Sequence, residues 1–392
     1  MRICLIYDCL FPHTVGGAER WYRRLAERLV ADGHEVTYLT MRQWPRGEGA
    51  DIDARVHVVT VAPRMSLYTE RGRRRILPPL VFGAGVLWHL LRWGGRYDAV
   101  HTCSFPYFSL LAAAAARPLR RYELVVDWFE VWSRAYWLDY LGGMQGRVGL
   151  AVQRLCARVP QRAFCFSELH ARRLEEEGFV GPRVVLRGLS DGACPMAPVR
   201  GEPLVVFAGR LIPEKRAPLG VEAVAVAAQQ VPGLRALFYG DGPEREALKE
   251  AIARCGVGDV VGAPGWTERD TLEQDMRRAL CVLLPSQREG YGLVVVEASA
   301  RATPSVVVAA QDNAAVELVE DGVNGVIARD GDVQTVAQAI VRVHELGMAL
   351  RESTAQWYAR NAEKLSIESS LQAVLESYRG GRAAAGKPMT TK

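Results

Sequence analysis

Two loops in the second half of the chain carry side chains able to grip a phosphorylated ligand. In Gly209-Arg-Leu-Ile-Pro-Glu-Lys-Arg216, Arg210 and Lys215 follow an apolar, strand-like run in one loop. Two cations so placed can converge on a diphosphate, the guanidinium bidentately and the ammonium as a compact point charge. Lys is scarce in a chain whose basic residues are almost all Arg, which favours a function for Lys215 over a solvated loop with incidental charges. The second loop is Glu289-Gly-Tyr-Gly-Leu-Val-Val-Val-Glu297, after the strand-like Val282-Leu-Leu-Pro-Ser286. Gly290 and Gly292 let the backbone around Tyr291 and Leu293 present N–H groups to an anion. With a helix starting near Gly292, Glu297 stands about a turn and a half inside it, where a carboxylate can accept two hydrogen bonds from a ribose diol. Glu289 would lie closer to phosphate and sugar. An amphipathic helix with one capping and one surface carboxylate fits the same residues, and the three valines also permit a strand.

The first half offers weaker signals. Gly16-Gly17-Ala-Glu-Arg20 lies between a strand and a helix, where small residues allow close approach of a ligand to a helix N-terminus. A tight turn that merely closes the loop explains it equally well. It is not a G-x-G-x-x-G fingerprint, which counts against a simple dinucleotide dehydrogenase. Asp127-Trp-Phe-Glu-Val-Trp132, continued by Tyr136, Trp137 and Tyr140, is unusually aromatic for a loop. Asp127, Phe129, Glu130 and Trp132 would suit a sugar or cyclic acceptor, and a satellite apolar cluster fits them as well. Gly240-Asp-Gly-Pro-Glu-Arg-Glu246 is a turn leading into a helix, able to face a nucleotide base or to serve structure alone.

The elements that must hold these groups alternate. Arg2–Asp8 reads as a strand, Ala18–Asp32 as a helix stopped by Gly33, and His34–Thr40 as a second strand, the βαβ pattern of a doubly wound sheet. Further strands are expected at Val56–Val61, Ala99–Thr102, Leu124–Val126 and Arg162–Phe166. Gly and Pro then break all periodicity over Asp191–Pro203. The pattern restarts with strands at Leu204–Ala208, Arg235–Tyr239, near Val260, Cys281–Leu284, Ser305–Val308 and Gly325–Ile327, and helices over Val333–Leu346 and Ile367–Tyr378. Two α/β domains are expected, 1–194 and 195–365. A C-terminal helix, 366–379, would cross back to the first, and a disordered tail would cover 380–392. Ligands of such sheets sit beyond the carboxyl ends of the strands, so two facing domains would hold theirs in a cleft.

Bulk properties narrow the class. A chain of 392 residues with 49% hydrophobic and 24% charged side chains suits two folded domains. A net charge of +5 is mildly basic and diffuse, weak evidence for nucleic acid, so no nucleic-acid partner is expected. Eight scattered cysteines without a CxxC pair read as buried thiols in a reducing compartment. No charged-then-apolar leader precedes the first strand, so a cytoplasmic protein is expected. The Arg71–Trp93 stretch joins an Arg cluster to an apolar run too short and too interrupted to span a bilayer. It reads as a buried helix or, alternatively, as a peripheral contact with the inner face of the membrane.

Together these motifs resemble glycosyltransferase family 4, retaining and metal-independent enzymes with the GT-B fold of two facing Rossmann-like domains. The resemblance runs through Gly16–Arg20, Tyr97-Asp-Ala-Val-His101, Phe166-Ser-Glu168, Gly209-Arg210 with Lys215, Gly240-Asp-Gly-Pro243, Pro285-Ser286, Glu289 with Glu297, and Glu317–Gly325. It implies a sugar moved from a UDP- or GDP-sugar to a small-molecule or lipid-linked acceptor, without metal or cofactor. Arg210 and Lys215 would stabilise the departing diphosphate, Glu289 contact the sugar and Glu297 the ribose. The backbone of Gly290–Leu293 would cradle phosphate and sugar, and Gly16 and Gly17 would line the diphosphate side. Three departures stand out: Phe129 where relatives often carry His, Arg187-Gly188 for Asn-Gly, and Ala302-Thr-Pro304 and Asn313-Ala314 for the usual Gly-x-Pro and Gly-Gly. They suggest an unusual acceptor or donor, and Phe129 with the altered loops also motivates a non-catalytic binding partner; an epimerase or phosphorylase on the same fold is the other alternative.

Overall fold

The computed structural model describes residues 1–14, 16–45, 47–67, 75–192 and 194–385. Short, mostly apolar runs form parallel strands, the central ones buried on both faces, as expected where helices cover a sheet from two sides, and the edge strands His57–Ala62 and Arg183–Val185 only partly buried. In the first unit these are β1 (Arg2–Ile6), β2 (Glu35–Met41), β3 (His57–Ala62), β4 (Ala99–Cys103), β5 (Glu123–Trp128), β6 (Arg162–Cys165) and β7 (Arg183–Val185). Their order is β3-β2-β1-β4-β5-β6-β7, every neighbouring pair parallel.

Between them run α1 (Gly17–Ala31), α2 (Leu77–Trp93), α3 (Phe108–Arg120), α4 (Arg134–Leu141), α5 (Gly143–Arg158) and α6 (Glu168–Glu176). Right-handed crossovers place helices on opposite faces according to the direction in which the strand order steps. The step from β1 to β2 therefore puts α1 on one face. The steps from β3 through β7 put α2, α3, α5 and α6 on the other. One core cluster agrees, packing Phe82 and Val86 of α2, Leu110 and Ala113 of α3, Leu150 of α5 and Leu174 of α6 with Ile6, Val100 and Val126.

The second unit repeats the plan. Its sheet holds β8 (Leu204–Ala208), β9 (Arg235–Tyr239), β10 (Val261–Gly265), β11 (Cys281–Leu284), β13 (Ser305–Val308) and β15 (Gly325–Ala328) in the order β10-β9-β8-β11-β13-β15. A separate parallel ribbon joins β12 (Arg288–Glu289) to β14 (Asp312–Asn313). The helices are α7 (Ala217–Ala227), α8 (Arg245–Cys255), α9 (Arg269–Arg278), α10 (Leu293–Ala300) and α11 (Val333–Leu365), the last broken at Gly347. The triple valine is helical, because α10 buries Val295 and Val296 and packing overrides β propensity.

The units divide between Leu189 and Ser190, and the segment from Ser366 onward belongs to the first. There α12 (Ile367–Ala385) packs against α1. Arg379 meets Asp32 at 2.7 Å, and Ser370 Oγ accepts from the Gly188 amide at 3.0 Å. Helix continues to Ala385, beyond the expected start of the tail, and residues 386–392 lie outside the described residues. The deepest anchor is Tyr378, whose hydroxyl lies 2.8 Å from His101 Nδ1 with both side chains buried. Tyr378→Phe is expected to leave that nitrogen unpaired and cost about 1–3 kcal/mol, read from urea denaturation of the full chain.

Candidate functional site

In the second unit β8 and β11 are neighbours whose onward connections lead in opposite directions, the switch point at which doubly wound sheets bind ligands. The loops beyond β8, β9 and β10 are laced together. Leu211 N–H donates to Asp241 O at 2.9 Å, Glu244 N–H to Leu211 O at 2.9 Å, and Gly240 N–H to Gly265 O at 2.8 Å. Gly240 has φ +130°, and a Cβ there would stand 1.9 Å from the Gly209 carbonyl oxygen, so no side chain fits. The Gly242 amide holds the Asp241 carboxyl below the usual carboxylate range, with help from Arg245.

Lys215 Nζ donates to Glu289 Oε1 at 2.5 Å, uniting two expected site residues 74 positions apart. The side chains are only 19% and 9% exposed, so the pair is shielded from water. A second bridge runs parallel to it: Arg288 lies 3.5 Å from Glu214, and the Gln287 amide donates to Glu214 O at 2.9 Å. Arg210, in the same loop as Lys215, is exposed and free of ion pairs among the described residues. One cation is thus held by a carboxylate while the other stands open to an incoming anion.

The loop from Pro285 to Gly292 is held from behind by Asn313. Its Nδ2 donates to Ser286 O at 3.1 Å and Val308 O at 2.8 Å, and its Oδ1 accepts from the Ala315 amide at 3.0 Å. The altered Asn313-Ala314 is therefore a structural lock beside Glu289. Gly292 turns the chain with φ +97° into α10, whose N-terminus has no side-chain cap. A Cβ at Gly292 would meet Ala315 Cβ at 2.4 Å. Gly290 and Leu293 are half-buried and Tyr291 is buried. Glu297 is half-buried on α10, where Arg301 Nη1 donates to its backbone carbonyl at 2.7 Å. Arg269, whose charge is favoured chiefly by its hydrogen bond to Glu273, also feels Glu297.

In the first unit Gly16 is extended and directly precedes α1, again without a side-chain cap. A Cβ on Gly16 would strike the Glu19 carboxylate at 2.3 Å, whereas one on Gly17 would meet nothing within 4 Å. The Glu19 carboxylate is the end of a flexible side chain that can move aside, and Gly16 is extended with φ −169°, so packing demands a glycine at neither position.

Asp127 needs a correction, because its carboxylate is fully buried. Strand alternation turns it to the α1 side of the sheet, opposite Val126 and Trp128. There Oδ2 accepts from Trp21 Nε1 at 2.8 Å, and Oδ1 lies 2.8 Å from His101 Nε2. Both oxygens are used inside the fold, which removes Asp127 from the residues that meet an acceptor. Phe129 is half-buried and stacks on Phe166 with ring centroids 4.4 Å apart. Glu130 accepts from Trp132 Nε1 at 2.7 Å. Trp132 also packs with Phe105, Tyr136, Trp137 and Tyr140 at centroid distances of 4.6–5.4 Å. Trp132, Tyr136 and Tyr140 stay half-exposed, a satellite cluster with an accessible rim. The network of Trp21, His101 and Tyr378 around Asp127 was not foreseen from the sequence. Its one local signal is a His inside an otherwise apolar strand.

The comparisons with known proteins follow this division. The family described as "Glycosyl transferase 4-like domain" matches residues 16–189, and "Glycosyl transferases group 1" matches 197–364. The chain belongs to the GT-B glycosyltransferases, of the group 1 and family 4-like kind. It is 33% identical over 201 residues to the D-inositol 3-phosphate glycosyltransferase of Nocardia farcinica, covering 47% of this chain and 44% of the relative. The enzyme of the same name from Nocardiopsis dassonvillei is 27% identical over 401 residues, covering 85% and 91%. In several of the stronger local matches the chain spans less than half of the relative's length. Among solved structures, Anabaena HepE in complex with UDP superposes with a TM-score of 0.72 at 21% identity, covering 97% of this chain and 100% of that one. That likeness is one of fold.

The two glycines of contrasting surroundings give a test. Gly292→Ala is expected to cost about 1–3 kcal/mol through its positive φ and the clash with Ala315. Gly17→Ala, at the first position of α1, should hold or slightly raise stability, by less than the roughly 1 kcal/mol of a helix interior. Urea midpoints of the two variants separate them.

Proposed function

We propose that this glycosyltransferase moves a sugar from a UDP- or GDP-sugar to a small-molecule or lipid-linked acceptor, with retention of anomeric configuration. The observation that carries the reading is the shielded Lys215–Glu289 pair beside the open Arg210, at the strand ends of the second unit. Breaking a bond to a nucleoside diphosphate leaves negative charge on the departing phosphate. Lys215 and Arg210 supply the opposing charge, preorganised so that little must rearrange as the bond breaks. Glu289 fixes the ammonium in place and offers its second oxygen to the sugar. The uncapped N-terminus of α10 adds N–H groups, with the backbone of Gly290–Leu293 around it, and Glu297 receives the ribose hydroxyls. This set of donors performs the electrostatic work without metal or cofactor, so turnover should survive a chelator. Gly16 and Gly17 serve the diphosphate, and Gly17→Ala should weaken donor binding even though packing tolerates it.

Acceptor recognition falls to the first unit, to Phe129, Glu130 and Trp132 with the half-exposed Tyr136 and Tyr140. A lipid-linked acceptor would accord with peripheral membrane contact through Arg71–Trp93, a cytoplasmic chain resting on the inner leaflet. Arg71–Arg74 of that segment lie outside the described residues. Among the described residues no helix is long and apolar enough to cross a membrane.

Glu289→Ala and Lys215→Ala are expected to lose transfer by roughly a hundred- to a thousandfold while circular dichroism stays native. Full activity in both would overturn the reading. Melting with UDP, GDP, ADP and dTDP identifies the donor nucleotide, because a ligand of the folded state raises the midpoint. Phosphorolysis, or an epimerised donor formed without acceptor, would instead favour a phosphorylase or epimerase. No response to any nucleotide would leave a non-catalytic binding partner.

A further inference from the structure

The modest net charge hides an uneven distribution. Residues 1–189 hold 27 Arg, no Lys and 18 Asp or Glu, a formal +9. Residues 190–365 hold 18 Lys or Arg against 24 Asp or Glu, a formal −6. The diffuse charge read from the whole chain is thus corrected to a basic first unit and an acidic second one.

Within the first unit the asymmetry is sharper still. The sequences of α2, α3 and α5 contain six Arg and not one Asp or Glu. These three helices lie on the same face of the sheet and share one core. Their outward surface also carries most of the unit's exposed large apolar side chains, Val180 and Val184 at or near β7 being the others among the described residues. On α2 and at its start these are Ile76, Leu77, Leu80 and Trp88, the last 74% exposed. Leu119 of α3 is 70% exposed, and Met144, Val148 and Leu155 of α5 are 83%, 59% and 58% exposed. Among the described residues α1 and α12, on the opposite face, show no such large apolar side chain.

On α5 the spacing is informative. Met144, Val148, Ala151 and Leu155 fall within about 60° of one another around the helix, and Arg147, Arg154 and Arg158 line one edge of that stripe. Arg154 also reaches Glu177 at 2.6 Å, while Arg147 and Arg158 are exposed. An apolar stripe with a basic border is what an interfacial helix presents to acidic headgroups. A second copy of this chain docked stripe to stripe would bring like charges together, so charge complementarity selects the lipid.

We infer that the outer face of the α2–α3–α5 layer is a continuous docking surface for an anionic bilayer, with α5 as much a part of it as α2. The inference rests on the peripheral reading of α2 and extends it across the layer, about 20 Å if neighbouring helices are spaced normally. It makes a membrane-borne acceptor the substrate class favoured by the geometry.

Co-sedimentation of the full chain with vesicles of phosphatidylcholine, with and without phosphatidylglycerol, is the test. The chain should pellet only with the anionic vesicles, and less as salt rises. The triple variant Met144→Ser, Val148→Ser, Leu155→Ser and the pair Arg147→Glu, Arg158→Glu should each lower partitioning by about tenfold, with the nucleotide melting response unchanged. No pelleting by the parent chain overturns both the inference and the α2 reading. Loss in Trp88→Ser with parental pelleting in both α5 variants overturns the extension and leaves α2 standing. A dimer that dissociates in the α5 variants, with pelleting retained, makes the face a homotypic interface and overturns the lipid assignment.

Discussion

A lysine and a glutamate shielded from water hold their charges at a desolvation cost that only close geometry and neighbouring hydrogen bonds can offset. Around Lys215 and Glu289 the second unit supplies that geometry from several directions. The β12–β14 ribbon pins Glu289 to Asn313, Asn313 fixes the preceding loop, and Glu214 binds both Arg288 and the Gln287 backbone. Each of these contacts restricts where the ammonium can stand. Losing one partner would leave the other poorly hydrated and unpaired, a penalty of about 3–5 kcal/mol in fully buried cases. The loops beyond β8 and β11 are tied to each other by backbone and side-chain contacts.

How much of this was legible follows from the length scale of each signal. Leu204–Ala208, Arg235–Tyr239, Cys281–Leu284 and Ser305–Val308 are strands over the residues expected, because central parallel strands are continuous apolar runs bounded by glycine or proline. The strands β7, β12 and β14 span two or three residues, too few for any periodicity to declare itself. Arg210, Lys215 and Glu289 were recognisable by residue type and position in their loops. Their pairing was not, since 74 residues separate Lys215 from Glu289.

Asp127 shows the opposite failure. A carboxylate among aromatic residues at a strand end reads as a sugar contact, but one position along a strand decides which face it meets. Its partners, Trp21, His101 and Tyr378, come from α1, β4 and α12, and only the folded topology assembles them. Whole-chain charge misled in a similar way. Two domains of opposite sign nearly cancel, and the informative quantity is the absence of acids from three neighbouring helices.

The return of α12 has a consequence for how the protein is made. His101 and Tyr378 are 277 residues apart, with the whole second unit translated between them. At about 5–20 residues per second a ribosome takes roughly 14–55 s to cover that distance. Throughout that interval the nascent first unit lacks the helix that closes its polar centre, while the second unit can complete its own sheet. The N-terminal half of the sequence is therefore the last to be finished.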